Sequence, residues 1–326
     1  MASGGTSPRR ARLTDTAGDP GWRATASRIR QLARRLEPWA PEPPLPPPLP
    51  PGRVVAVPDR GELFVRDVAG PPDAPPILLL HGWTSTADLT WLRTYDRLGE
   101  LGRVLALDHR GHGRGIRSDE PFTLEGAADD AAGLLRELGC PPVVACGYSM
   151  GGPIALLLWQ RHPDLVAGLV LEATALEWRS SLRERLVWRA MSLVERVLRS
   201  ARSKSVVDRL LRELIERCPP LVEHRGWLEG ELRRGDPEAI AEAGRAIGRF
   251  DARPFAGAVD VPVAVVITTE DSLVRPSKQR QLADAIPGAQ RFHLAADHGA
   301  CLTAVGGFAD VTVEAVGAVR ARIAVP

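Results

Sequence analysis

One segment restricts the fold more than any other: residues 143–161. Val143 to Cys146 is an apolar run of strand character, Gly147-Tyr148-Ser149-Met150-Gly151 follows it, and a helical stretch from Gly152 to Trp159 leaves it. A strand that turns within a few residues into a helix leaves no space for β-carbons beside the turn, so glycines must flank it. Ser149 then sits on a sharp strand-to-helix turn. Its hydroxyl is exposed at the sheet's edge and at the start of a helix, where developing negative charge is favoured. With 31 glycines in 326 residues a stray Gly-x-Ser-x-Gly would be unremarkable. The strand before it and the helix after it set this one apart.

The same alternation runs along most of the chain. Val54 to Val57 and Glu62 to Val68 read as a hairpin turned at Asp59-Arg60-Gly61. Pro76 to Leu80 closes on His81-Gly82 as a buried parallel strand should. A helical stretch is predicted over Ala87 to Leu101, a strand over Arg103 to Leu107, and a helix over Phe122 to Leu138. The strand Pro142 to Gly147, the helix Met150 to Arg161 and the strand Leu165 to Leu171 come next. From Leu176 to Phe250 no strand is expected, only helical segments rich in Arg, Leu and Glu, broken at Pro219-Pro220 and Asp236-Pro237. Alternation resumes with Val261 to Ile267, Pro276 to Ala285, Ala289 to Leu294 and a final helix from Val305 to Ile323. The expected fold class is therefore α/β, a mostly parallel eight-stranded sheet with helices on both faces and a helical cap inserted after strand six. The cap would cover the sheet's carboxyl edge, where open α/β sheets bind ligands.

Three regions follow: an N-terminal extension over 1–52, an α/β core over 53–175 and 251–326, and the cap over 176–250. In the extension, Trp22, Ala26, Ile29, Ala33 and Leu36 repeat at helical spacing, with arginines at 23, 28, 30, 34 and 35 opposite. Such a helix can pack on its own domain, its arginines solvated, or make peripheral membrane contact through residues 22–36. Pro41 to Pro51 is a polyproline linker. No window is apolar enough to span a membrane, and no apolar stretch of signal-peptide type follows Arg9-Arg10. Cys140, Cys146, Cys218 and Cys301 lack Cys-x-x-Cys spacing and read as free thiols of a cytoplasmic protein. A net charge of +2, from 42 basic and 40 acidic residues, argues against a nucleic-acid partner.

From about Arg53 onward the chain resembles the α/β-hydrolase family. The resemblance rests on the Ser149 turn, on His81-Gly82-Trp83 after the third strand and on Asp108-His109-Arg110-Gly111-His112-Gly113 after the fourth. In that family nucleophile, acid and histidine follow in this order along the chain. The order sets aside His81, His109 and His112; His162 ends a helix, His224 lies in the cap and His293 inside a strand. His298, in the loop after the last strand, is left as the base. Asp271 resembles the family's acid, with Thr268 standing where glycine is common three residues earlier; adjacent Glu270 and Asp297 are alternatives. The oxyanion hole implied is the backbone N–H of Trp83 and of Met150. No metal or other cofactor is implied, since the Asp108–Gly115 turn lacks convergent ligand spacing and opens no helix.

The resemblance implies a serine hydrolase, esterase- or lipase-like, acting on a small-molecule ester. Trp178, Trp188 and Trp227 in the cap suit a lipophilic acyl chain, and equally suit packing of the cap itself. The same triad would also serve C–C bond hydrolysis or acyl transfer. A non-catalytic ligand-binding or membrane-associated protein with a vestigial triad is the reading of another class. Serine at the nucleophile position disfavours epoxide and haloalkane hydrolysis, whose enzymes carry aspartate there.

Overall fold

The computed structural model describes Met1 and residues 45–179, 184, 186, 223–303 and 307–323. The chain falls into two units, Met1–Glu42 and Pro43–Pro326, and every element below belongs to the second. The amphipathic segment 22–36, Trp188 and Cys218 lie outside the described residues. Among the described residues no helix is long and apolar enough to cross a membrane.

Strands β1 (Gly52–Val57) and β2 (Gly61–Val68) form the expected antiparallel hairpin. Strands β3 (Ile77–Leu80), β4 (Val104–Leu107), β5 (Val143–Tyr148), β6 (Val166–Glu172), β7 (Val263–Thr268) and β8 (Gln290–Leu294) follow. They join one eight-stranded sheet in the order β1-β2-β4-β3-β5-β6-β7-β8. β2 meets β4 antiparallel, and every pairing from β4 to β8 is parallel. Short Val, Leu and Ala runs form these strands because both faces are covered, so no polar alternation is needed.

Side chains leave the central strands alternately to two cores. Leu78, Leu80, Leu105, Leu107, Val143 and Ala145 pack with α3 (Leu124–Glu137) and α4 (Gly151–Arg161) on one face. Ile77, Leu79, Val104, Ala106, Val144 and Cys146 take the other face, against Phe308, Val311, Ala315 and Val319 of the last helix.

The helical stretch expected over Ala87 to Leu101 is instead two short helices, α1 (Ala87–Trp91) and α2 (Tyr95–Gly99). Thr94 breaks it: its N–H, at 2.8 Å, and its hydroxyl, at 2.9 Å, both donate to the Trp91 carbonyl, which a continuous helix would offer to Tyr95. The described part of the segment between β6 and β7 holds α5 (Arg225–Arg233) and α6 (Pro237–Arg249). At its base the backbones of Glu177 and Asp251 form an isolated antiparallel β-bridge, and Ala252 N–H donates to the Leu176 carbonyl at 2.9 Å. Helix α7 (Pro276–Ala285) lies between β7 and β8; α8 (Ala300–Thr303) and α9 (Gly307–Arg320) end the fold. Residues 45–51 of the proline run lie against this unit: Arg66 donates to the Pro50 carbonyl at 2.6 Å, and His224 Nδ1 to that of Leu45 at 3.1 Å.

Candidate active site

Ser149 occupies the turn between β5 and α4 with a φ of 52°, a left-handed backbone that side-chain-bearing residues rarely adopt. Two hydrogen bonds hold it there, Ser149 N–H to the Glu172 carbonyl at 2.9 Å and Gly152 N–H to the Ser149 carbonyl at 3.0 Å. The flanking glycines answer to crowding. A Cβ on Gly147 would run into the Gly151 carbonyl, and one on Gly151 into the Leu80 carbonyl. Thr84 and Ala173, just beyond β3 and β6, have φ of 58° and 47°. Strain of this kind, on the order of 1–3 kcal/mol per residue, collects where a fold holds a working geometry.

His298 lies in the loop between β8 and α8. Its Nε2 is 3.0 Å from Ser149 Oγ and its Nδ1 is 2.7 Å from Asp271 Oδ2. A carboxylate only accepts, so Nδ1 carries the proton and Nε2 turns its lone pair to the serine hydroxyl. Asp271, in the loop leaving β7, has a fully buried carboxylate. Its Oδ1 accepts from the N–H groups of Leu273 at 2.9 Å and Val274 at 2.8 Å, which fixes its second oxygen toward the histidine. Glu270 is exposed, and Asp297 is used locally, accepting from Gly299 N–H at 2.8 Å. Ser149, Asp271 and His298 are thus brought together; Glu270 and Asp297 are not.

The loop after β3 runs beside the serine, close enough that a Cβ on Gly82 would stand 3.5 Å from Ser149 Cβ. Trp83 turns its indole away to pack against Gly244 of α6, and Nε1 donates to the Ile240 carbonyl at 2.7 Å. Met150, the N-cap residue of α4, has its side chain in the core. The Asp108–Gly115 turn braces these loops: Asp108 accepts from Ala87 N–H at 2.7 Å and from Arg114 N–H at 2.8 Å. Arg114 continues to Asp88 at 2.8 Å and to Glu231 of α5 at 3.3 Å. Under the turn, the His81 ring lies 4.3 Å from that of His109 and 5.5 Å from that of His112, tilted against both; burial lowers the pKa of all three, His112 to about 3, which favours the neutral form. Among the described residues no group of three or more His, Cys, Asp or Glu is placed to hold a metal ion.

Sequence reasoning missed three neighbours of this array. Tyr148 donates its phenol to the His298 carbonyl at 2.8 Å. Thr268 donates its hydroxyl to Asp271 Oδ2 at 2.9 Å, and Gln279 donates to Thr268 Oγ1 at 2.8 Å. Only Thr268 left a signal, as the residue standing where glycine is common.

Such a sheet, carrying a serine on a strained turn with a histidine in contact, defines a serine hydrolase of α/β architecture. The sequence model of the alpha/beta hydrolase fold family matches residues 75–304. The chain belongs to that family. It is 31% identical over 229 residues to a pimeloyl-[acyl-carrier protein] methyl ester esterase of Neisseria meningitidis, covering 69% of this chain and 87% of that one. It is 26% identical over 235 residues to 3-oxoadipate enol-lactonase 2 of Acinetobacter baylyi, covering 70% of this chain and 85% of the relative. Among solved structures, the enol-lactonase of Burkholderia xenovorans superposes with a TM-score of 0.70 at 28% identity, covering 81% of this chain and all of that one.

Proposed function

We propose that this chain hydrolyses a small carboxylic ester through an acyl-enzyme on Ser149. The observation that carries the reading is the unbroken sequence of contacts from Ser149 Oγ through His298 to the buried Asp271 carboxylate. As Ser149 Oγ attacks the ester carbonyl, His298 Nε2 takes its proton, and Asp271 holds the imidazole in the required tautomer. The backbone N–H groups of Trp83 and Met150 receive the oxyanion. The intermediate collapses, the alcohol leaves with the proton from Nε2, and the acyl group stays on Ser149. Water then gives a proton to Nε2 as it attacks the acyl carbon; collapse releases the acid and returns the proton to Ser149.

On this reading residues 53–175 and 251–326 are the catalytic core, 176–250 a cap, and 1–52 an extension whose segment 22–36 either packs on its own domain or makes peripheral membrane contact. A lipophilic acyl group suits the site: Leu273, two residues past the acid, is an exposed large apolar side chain, and Trp83 packs against Gly244 of the segment between β6 and β7. The relatives' printed substrates, a methyl ester and an enol-lactone, are both carboxylic esters. Cys140 and Cys146 are free thiols, which suits a cytoplasmic setting.

The test is turnover of p-nitrophenyl esters of increasing chain length, with fluorophosphonate labelling of wild type and Ser149→Ala. Turnover should fall by about 10⁴–10⁶ in the folded variant, with loss of labelling. A variant that keeps near-full turnover removes Ser149 from the chemistry.

A further inference from the structure

Asp271 Oδ2 accepts hydrogen bonds from His298 Nδ1 at 2.7 Å and from the Thr268 hydroxyl at 2.9 Å, and a longer one from Gln279 Nε2 at 3.4 Å. The hydroxyl is itself held. Gln279, on α7, donates one amide hydrogen to Thr268 Oγ1 at 2.8 Å and the other to the Val274 carbonyl at 2.7 Å. Its Oε1 accepts from Thr268 N–H at 2.9 Å. Every hydrogen-bonding atom of the Gln279 side chain is used, and the side chains of Thr268, Asp271 and Gln279 are buried. Oγ1 receives the Gln279 donor and gives its one proton to Oδ2. A glycine at 268 would keep the Asp271 loop and lose this relay.

Resting on the reading of Asp271 and His298 as acid and base, we infer that Thr268 and Gln279 are positioning residues that aim Asp271 Oδ2 and moderate its pull on the His298 imidazole. A donor on Oδ2 shares the carboxylate's charge. Removing it strengthens the hold on the protonated imidazole, so a higher pH is needed before the base is free. It also loosens Oδ2, which keeps only His298 and the longer Gln279 contact.

The experiment compares kcat/KM against pH for wild type, Thr268→Val and Thr268→Ser. Valine keeps the branched shape and removes the hydroxyl; serine keeps the hydroxyl. Thr268→Val should move the acid limb upward by roughly half a pH unit or more and lower kcat about tenfold, with KM little changed. Thr268→Ser should restore both. Besides Asp271, His298 meets the Ser149 hydroxyl and, through its carbonyl, the Tyr148 phenol, and Cys301, Glu172 and Asp297 act on that phenol in turn, while Glu270 bonds Ala296 through its backbone. All are untouched, so the shift reads the relay. Should Thr268→Val not fold, Gln279→Met withdraws both the donor behind the hydroxyl and the 3.4 Å contact to Oδ2, and predicts a smaller shift in the same direction. A folded variant with an unmoved acid limb overturns the inference, even where its melting temperature falls. The two readings fail separately. Wild-type turnover indifferent to Ser149→Ala defeats the proposed function, whereas Ser149-dependent turnover with an unmoved limb defeats only the relay.

Discussion

Tyr148 and His298 are joined through side chain and backbone: the phenol donates to the histidine's own carbonyl at 2.8 Å, with the two rings 5.7 Å apart. The residue before the nucleophile is thereby tied to the loop that carries the base. Burial pushes the Tyr148 phenol well up, so it stays a donor at all working pH values.

Tyr148→Phe keeps the ring and removes the anchor. Expected is a fall in kcat of about three- to tenfold with KM nearly unchanged, because a single neutral hydrogen bond contributes about 1 kcal/mol. Fluorophosphonate should label Ser149 more slowly in the same proportion. Full labelling speed in the variant would show that the loop holds its place without Tyr148.

Asp271→Asn, Glu270→Gln and Asp297→Asn distinguish the acid from its neighbours. Asparagine at 271 can present an N–H to Nδ1, which favours the wrong imidazole tautomer and should lower kcat on the order of 10⁴-fold. The exposed Glu270 and the locally bonded Asp297 should each change kcat less than about threefold when neutralised, the scale of a screened surface charge. A large loss at 270 with little at 271 would move the acid one residue along the loop.

Much of this was legible in advance, for reasons that differ by residue. Ser149 could be read because sterics dictate the glycines on either side. His298 could be read from chain order and its place after the last strand. Asp271 could not be told from Glu270, since both sit in one loop; the Leu273 and Val274 N–H groups decide which carboxylate is buried. The relay through Gln279 leaves no local pattern, because a strand end and a helix face eleven residues apart in sequence supply it. Thr94 likewise breaks a helix through one carbonyl, against a periodicity that continues past it.

Glu172 ends β6 fully buried beside the Ser149 turn, with Oε1 unpartnered and Oε2 3.3 Å from the Thr312 hydroxyl, which lies closer, at 2.8 Å, to the Phe308 carbonyl. Burial pushes its carboxyl up to about 8 from an ordinary 4.5, with Thr312 opposing only in part. In the unfolded chain the group ionises near the ordinary value, while in the folded chain it stays protonated. Its contribution to stability is therefore complete below pH 4.5 and is lost progressively as pH rises to about 8, by about 1.4 kcal/mol per pH unit. Glu172→Gln should flatten that slope: wild type loses melting temperature from pH 5 to 8 relative to the variant. Parallel curves across this range would mean that Glu172 is ionised in the folded protein.

Lys278 tests how the segment between β6 and β7 is tied to the core. From α7 its ammonium reaches Glu177 Oε1 at 2.7 Å, the Glu177 carbonyl at 3.0 Å and Glu184 Oε2 at 3.0 Å, using all three of its protons. Glu184 is also paired with Arg275 at 3.0 Å, while Lys278 and Glu177 are each 9% exposed at the side chain. Lys278→Met would leave the Glu177 carboxylate buried without its cation, which should cost about 3 kcal/mol or more in unfolding free energy. Glu177→Leu in the same chain removes the stranded charge, so the double variant should be more stable than Lys278→Met alone. The bond to the Glu177 carbonyl is lost in both variants and cancels in the comparison. A Lys278→Met loss below about 1 kcal/mol in urea titration would mean that water reaches Glu177 and screens it.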